Sequence, residues 1–162
     1  MFLPVFRRPR PRDRKVVRPG EPATEVVTAL AARRAYGTQD HNIEVDFNAD
    51  GHAMGEAWTA ASGIRIVARI TDPDVADQVT QIDLLRGVTG VSDAVLVASN
   101  SGSPDFSWRE LDTFTPGTEV HYYLRIRMAD NANVWTGPVY VTYDPASAVA
   151  VGDGDGASGL RL

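Results

Sequence analysis

The sequence contains no cysteine, which excludes disulfide bonds, thiolate nucleophiles and cysteine-ligated zinc sites together. It has no apolar run of about 18 residues, the length that a membrane-spanning helix needs, so no membrane contact is predicted. Histidine occurs only three times, and His41, His52 and His121 lack the H-x-H or H-E-x-x-H spacing of a metal site. No G-x-S-x-G motif or phosphate-binding glycine loop is present. The sequence therefore predicts no enzyme activity and no cofactor.

Lysine is nearly absent, and the net charge of −5 is unevenly distributed. Residues 1–18 carry +6 and the rest of the chain carries −11. An acidic body repels nucleic acid, so only weak binding through the basic tail is predicted. Residues 1–22 hold five prolines among the arginines, which predicts a disordered tail. The tail does not resemble a secretory signal, and the compartment stays open between bacterial cytoplasm and export with a parent enzyme.

Residues 23–42 are predicted to form one short helix and a linker. Thr24 is a helix-capping residue, Val26, Val27 and Leu30 recur at helical spacing, and Gly37 is expected to end the helix. A helix of about twelve residues is too short to be stable alone in water. It must therefore dock on the rest of the protein or on another chain.

Residues 43–144 alternate with a period of two, which predicts β-strands. The clearest strand is "EVHYYLRIRMAD", which places Val120, Tyr122, Leu124, Ile126 and Met128 on one face. About seven short strands separated by turn residues predict an all-β fold, an antiparallel immunoglobulin-like or fibronectin-III-like β-sandwich. Tyr122 is interpreted as a tyrosine-corner residue, Trp135 as a cover for one end of the core, and Pro138 as a bulge or an edge position. Residues 145–162, rich in glycine and alanine, are predicted to be a flexible tail.

Two acidic segments are candidates for calcium binding. "TDPDVAD" supplies Asp72, Asp74 and Asp77, and "GDGDGASG" supplies Asp153 and Asp155. Alternating aspartates can coordinate calcium, but aspartate beside proline or glycine also forms ordinary turns, which is the favoured interpretation. No metal site is therefore assigned, and the first segment remains a secondary calcium hypothesis.

The outward face of the strand at residues 119–130 is the best candidate for binding. Tyr123, Arg125 and Arg127 alternate with the core residues and so share this exposed face. Exposed aromatic rings on a sandwich can stack on sugars, although large aromatic side chains in a domain of this size usually belong to the core, and the loops are the alternative binding surface. The face is therefore a candidate site for a protein or a carbohydrate.

Two segments together resemble the C-terminal part of PHP-superfamily metallohydrolases (polymerase and histidinol phosphatase type). "VTALAARRAYGTQDHNIEVDFNADGHAMGE" resembles the last barrel helix and the junction that follows it. "VHYYLRIRMADNANVWTGPVYV" resembles the final hairpin of the Ig-like domain behind the barrel. The matching positions of both segments are Ala29, Leu30, Ala32, Arg33, Arg34, Tyr36, Thr38, Asp40, Asn42, Gly51, Met54, Gly55, Tyr122, Tyr123, Arg125, Asp130, Trp135, Pro138 and Val141.

The resemblance implies a noncatalytic accessory domain, because the metal ligands of that family lie upstream of the matched junction and this chain lacks their motifs. The implied partner is a catalytic PHP barrel or another protein chain. A remnant active-site role for Asp40 or His41 is not favoured. Two alternatives stay open, a stand-alone carbohydrate- or protein-binding module and a hydrolase.

Overall fold

The computed structural model describes residues 3–6, 23–91 and 93–146. These residues form one helix and twelve strands. The helix is α1 (Ala23–Ala31), and the strands are β1 (Leu3–Phe6), β2 (Ala35–Thr38), β3 (Glu44–Ala49), β4 (His52–Ala53), β5 (Ala57–Ala60), β6 (Arg65–Thr71), β7 (Val79–Val88), β8 (Val95–Ser101), β9 (Asp105–Arg109), β10 (Thr118–Met128), β11 (Asn133–Trp135) and β12 (Val139–Tyr143).

The strands form two sheets, as a sandwich-like all-β fold requires. The smaller sheet has the order β4-β3-β6-β9. The larger sheet is built around β10, which pairs with β7 on one side and with both β11 and β12 on the other. From there β7 continues to β8, β11 continues to β2 and β1, and β12 continues to β5. The β12–β5 pair is parallel and the other pairs of the described strands are antiparallel, so the predicted all-antiparallel arrangement needs this one correction.

The predicted alternation correctly identifies the core. The five inward residues of β10, Val120 to Met128, are each at most 1% exposed. Val45 and Phe47 of β3 in the smaller sheet are equally buried, as is Ile43 just before that strand, and all three belong to the same core cluster as the β10 residues. Alternate residues of β6 are buried as well, so the inward residues of both sheets form one apolar interior. The all-β sandwich prediction is confirmed.

The β-domain begins earlier than predicted. Residues 35–38 form β2 and pair with β11, where the end of the helix and the start of a linker were expected. Tyr36 is 3% exposed and donates a hydrogen bond from its hydroxyl to the carbonyl of Ile43. Thr38 is fully buried. The linker prediction is wrong at β2 because a four-residue strand containing Gly37 is too short to show a clear alternation.

Part of the N-terminal tail is also ordered. Leu3–Phe6 pairs antiparallel with β2, so disorder is the wrong prediction for these four residues. Pro4 is tolerated because a strand at the edge of a sheet does not need every backbone N–H as a donor. The rest of the tail and the predicted C-terminal tail beyond residue 146, with Asp153 and Asp155, lie outside the described residues.

Helix α1 ends at Ala31, six residues before the predicted stop at Gly37. Arg33 has a φ of 56°, so a non-glycine residue adopts the left-handed conformation just after the helix. The helix also begins at Ala23, so Thr24 lies within its first turn and does not cap it. Val27 and Leu30 are 63% and 52% exposed, which places most of the predicted apolar face in solvent.

The predicted last strand is interrupted. It divides into β11 and β12, with Thr136, Gly137 and Pro138 between them. The side chain of Thr136 takes the place of a backbone acceptor at this interruption, because its Oγ1 accepts a hydrogen bond from the backbone N–H of Leu124 at 2.8 Å. Pro138 lies in this interruption, which explains why a residue without an N–H donor is accepted there. Trp135 ends β11 and is 36% exposed, so it does not cover the core as predicted.

Tyr122 occupies the predicted inward position but does not form a tyrosine corner. A corner tyrosine donates to a backbone carbonyl. The Tyr122 hydroxyl instead donates to the Glu110 carboxylate and lies 3.2 Å from the hydroxyl of Tyr143. Glu110 is itself 2% exposed and is paired with Arg86. The inward face of β10 therefore includes a buried polar network.

Candidate functional site

A shallow groove lies on the outer face of β10 and its neighbours. It has a volume of about 600 Å³. We call it the β10 groove; it is lined by residues 88–91 and by Arg33, Glu119, His121, Tyr123, Pro138 and Tyr140. The turn that follows β7 closes one side of it. The groove therefore joins the main β10 strand to the segment that follows the helix.

Aromatic and cationic groups shape this groove. The rings of His121 and Tyr140 are 6.0 Å apart between centroids and are tilted by 46°. The guanidinium carbon of Arg33 lies 5.0 Å from the centre of the Tyr140 ring, within cation–π range. His121 lies directly against Gly87, since a Cβ atom at residue 87 would be 2.3 Å from Nε2 of the histidine. Glycine at this position leaves room for the imidazole against β7.

The three predicted binding residues have different environments. Tyr123 is partly buried and lines the β10 groove. Arg125 is 44% exposed at its side chain, and its Nη2 donates to Oδ2 of Asp83 at 2.6 Å. Arg127 is exposed and does not line the groove. The structure therefore brings Tyr123 together with Arg33 and Tyr140, and it ties Arg125 to a carboxylate.

The ion pair of Arg125 is part of a buried anchor on the outer face of β7. Asp83 is 2% exposed and also accepts hydrogen bonds from Gln81 Nε2 and Ser99 Oγ. Burial alone raises the pKa of Asp83, but the hydrogen bonds from Arg125, Gln81 and Ser99 outweigh it and the pKa lies below its usual value. This arrangement holds the guanidinium of Arg125 at Asp83, through both Nε and Nη2.

The three aspartates of the loop between β6 and β7 do not lie together in one cluster. Asp72 and Asp77 come together with Asp40, from the loop after β2, and one ligand oxygen of each lies within 4.8 Å of the others. Asp74 instead accepts a hydrogen bond from the side-chain amide of Asn42 at 3.0 Å. The sequence indicated two members of this cluster but gave no sign that Asp40, more than thirty residues earlier, is the third.

The three histidines lie in separate environments. His41 has an 80% exposed side chain beside Asp40. His52 stacks on Trp58 at 4.2 Å between ring centroids and contacts Glu56. His121 lines the β10 groove. Within the described residues, no histidine joins the one group of side chains close enough together to hold a metal ion, which consists of aspartates.

Of the groove residues, the sequence assigned only Tyr123 to a binding face, and the missed residues include Tyr140 and Arg33. Tyr140 could have been placed there by its phase in "VYVTY", since it alternates with the buried Val139 and Val141. Arg33 could not, because its position depends on the left-handed turn after the helix.

Comparison with known protein families and with curated proteins finds no match for this chain. Among the described residues, the one helix, α1, has nine residues and is too short to span a membrane.

Proposed function

We propose that this chain is a noncatalytic, immunoglobulin-like accessory domain of the PHP metallohydrolase type that binds a catalytic barrel through the β10 groove. The single observation that carries the proposal is the groove itself, in which Tyr123 and Tyr140 are partly buried beside Arg33 and His121. Tyrosine and arginine are enriched among the residues that dominate protein–protein binding energy. A preformed groove of this composition favours a protein ligand.

The strand arrangement supports the immunoglobulin-like part of the proposal. One sheet holds β3, β6 and β9, and the other holds β8, β7, β10 and the interrupted β11–β12 strand. The chain changes sheets between β3 and β5, where β5 pairs in parallel with β12. Distribution of consecutive strands between two facing sheets in this way is typical of immunoglobulin-like sandwiches.

The surroundings of the segment that resembles the PHP barrel junction support a catalytic barrel as the partner. Tyr36 is a core residue, and Gly55 contacts the chain immediately after the helix. These positions fix helix α1 at one end of the sandwich while Val27 and Leu30 remain exposed. A helix held in this way suits a junction at which a further folded unit begins.

The direct test is calorimetric titration of this chain with a PHP-type barrel supplied as a separate chain. We expect saturable binding that Tyr123→Ala weakens at least about tenfold, a loss typical of a central interface residue. Arg127→Ala is the matched control, because Arg127 lies on the same face of β10 outside the groove and should bind within about twofold of the wild type. Failure to bind, or equal losses in both variants, would exclude the groove as the interface.

The two alternatives predict different results. A carbohydrate-binding module would give a glycan-array signal that Tyr123→Ala abolishes, with no affinity for the barrel. A hydrolase would cleave a chromogenic phosphodiester in the presence of manganese or zinc. We expect neither result, and either one would replace the proposal.

A further inference from the structure

Strand β8 is an open edge of the larger sheet. It pairs with β7 on one side, and none of the described strands pairs with its other side. In an antiparallel ladder, alternate residues of such a strand turn their N–H and C=O groups away from the neighbour, so these groups face the open side. With seven residues, Val95–Ser101, β8 is the longest of the described strands that lie at an edge of either sheet.

Apolar side chains lie along this edge. Val95 and Leu96 are 53% and 56% exposed, and no other large apolar side chain in strands β2 to β12 is more exposed. Leu96 lies opposite Leu85 of β7, and Leu85 lies opposite Tyr123 of β10, so Leu96 continues a row across the larger sheet. A further strand laid along β8 would remove this apolar surface from water, which is favourable.

Strand β8 lacks two features that keep the edges of natural sheets unpaired, namely charged side chains and proline. Residues 94–101 contain neither. By contrast, β9 at the edge of the smaller sheet carries Asp105 and Arg109, β1 contains Pro4, and β4 has only two residues. The open side of β8 is therefore the edge best suited to pair with another strand.

The sequence of β8 indicates which strand this is. Residues 94–98 read Ala-Val-Leu-Val-Ala, which is the same in both directions around Leu96. Antiparallel pairing of two copies about a two-fold axis at Leu96 therefore places alanine opposite alanine, valine opposite valine and leucine opposite leucine. No like charges meet in this segment, and apolar cross-strand pairs stabilise a sheet. A second copy of the chain thus fits the edge.

We propose that this protein forms a dimer in which the β8 strands of two copies pair antiparallel around Leu96. The pairing joins the two larger sheets into one continuous sheet and uses both open β8 edges, so the assembly closes at two copies. The register shift between Leu84 and Leu85 leaves Val97 without a residue opposite it on β7 and bends β8 there. The contact is therefore short, and the dimer is weak and depends on concentration. It does not depend on a barrel as the partner.

The test is sedimentation velocity of the full chain over a wide range of protein concentration. We expect the wild type to pass from monomer to dimer as the concentration rises. Leu96→Lys places like charges opposite each other at the two-fold axis, so it should weaken dimerisation at least about tenfold. Leu30→Lys is the matched control, because Leu30 is a leucine of similar exposure, 52%, on helix α1. It adds the same charge and should dimerise as the wild type does.

A mixing experiment tests the two-fold axis itself. Leu96→Lys and Leu96→Glu should each remain monomeric, whereas an equal mixture should form a mixed dimer because opposite charges then meet across the axis. The thermal unfolding midpoint of each variant shows that it is folded. Three results would overturn the proposal: a wild type that stays monomeric at its highest soluble concentration, an equal loss of dimer in Leu96→Lys and Leu30→Lys, and the absence of dimer in the mixture.

Discussion

The hydroxyl of Tyr122 donates a hydrogen bond of 2.7 Å to Oε2 of Glu110, and this bond joins the two sheets of the sandwich. Tyr122 lies on β10 in the larger sheet, and Glu110 directly follows β9 in the smaller one. Both side chains are buried, and burial raises the pKa of the Tyr122 hydroxyl far above its usual value. Tyr122 therefore remains a neutral donor, and the Glu110 carboxylate is its acceptor.

Removing this hydroxyl should destabilise the fold. Tyr122→Phe keeps the ring and leaves a buried carboxylate with one partner fewer, so we expect a loss of about 1–2 kcal/mol in the free energy of unfolding. Tyr122→Ala should cost roughly 3–5 kcal/mol because it also leaves a cavity. Trp135→Ala, at a partly exposed ring, should cost clearly less than Tyr122→Ala. Urea denaturation of the three variants measures these differences, and equal losses at the two positions would contradict the assigned burial.

Arg86 forms ion pairs with one buried and one exposed carboxylate. Its Nη1 contacts Oε2 of Glu110 at 2.8 Å and Oδ2 of Asp112 at 2.6 Å, and the two carboxylate side chains are 1% and 62% exposed. Arg86→Ala leaves the Glu110 charge buried without its cation, so we expect a loss of about 3–5 kcal/mol. Asp112→Asn should change the free energy of unfolding by less than about 1 kcal/mol. A large effect of Asp112→Asn, or a small one of Arg86→Ala, would refute this assignment.

The outer-face anchor at Asp83 predicts a pH dependence. Since the pKa of Asp83 is lower in the folded protein than its usual 3.8, the carboxylate stabilises the fold when ionised. This contribution is complete above about pH 4 and is lost as the pH falls through the lower folded-state pKa. Below about pH 4, the stability of Asp83→Asn should therefore decrease less steeply with falling pH than that of the wild type. Thermal unfolding midpoints of the wild type and of Asp83→Asn, measured between about pH 2 and 6, check this expectation. The same dependence of the midpoint on pH in both proteins would contradict it.

The turn after β4 holds the end of helix α1 against the sandwich. Gly55 has a φ of 84°, and a Cβ atom there would lie 2.0 Å from the carbonyl oxygen of Ala32. Gly51 has a φ of 86° in open space. Gly51→Ala should cost about 1 kcal/mol from the backbone conformation alone, whereas Gly55→Ala adds a steric clash and should cost at least about 2 kcal/mol. Chemical denaturation compares the two, and equal costs would mean that the helix end is not fixed there.

The parts of the fold that the sequence predicts are those with long regular alternation. Strand β10 has eleven residues, and its inward row was assigned correctly. Strand β2 was missed because its four residues carry too little pattern, and its burial depends on pairing with β11, almost a hundred residues later. The helix end was misplaced because Arg33 adopts the left-handed conformation usually taken by glycine.

The candidate sites were predicted less completely because they depend on contacts between distant segments. Tyr123 was identified from its outward phase on one strand, whereas Arg33 reaches the same groove only through the turn after the helix. The pairing of Arg125 with Asp83 depends on the register between β10 and β7. Glu110 carries no recognisable signal, since a glutamate beside a weakly alternating strand is usually exposed. The contacts of these residues can be identified only when the arrangement of the two sheets is known.

We propose that the β10 groove is a protein-binding surface of a noncatalytic domain. Amide chemical shifts of the labelled chain, measured during titration with a PHP-type barrel, test it most directly. We expect saturable shifts concentrated at Arg33, His121, Tyr123 and Tyr140, with the shifts of residues in β6 and β9 on the opposite sheet unchanged. Shifts centred on the opposite sheet, or no shifts at a saturating concentration of the barrel, would contradict it.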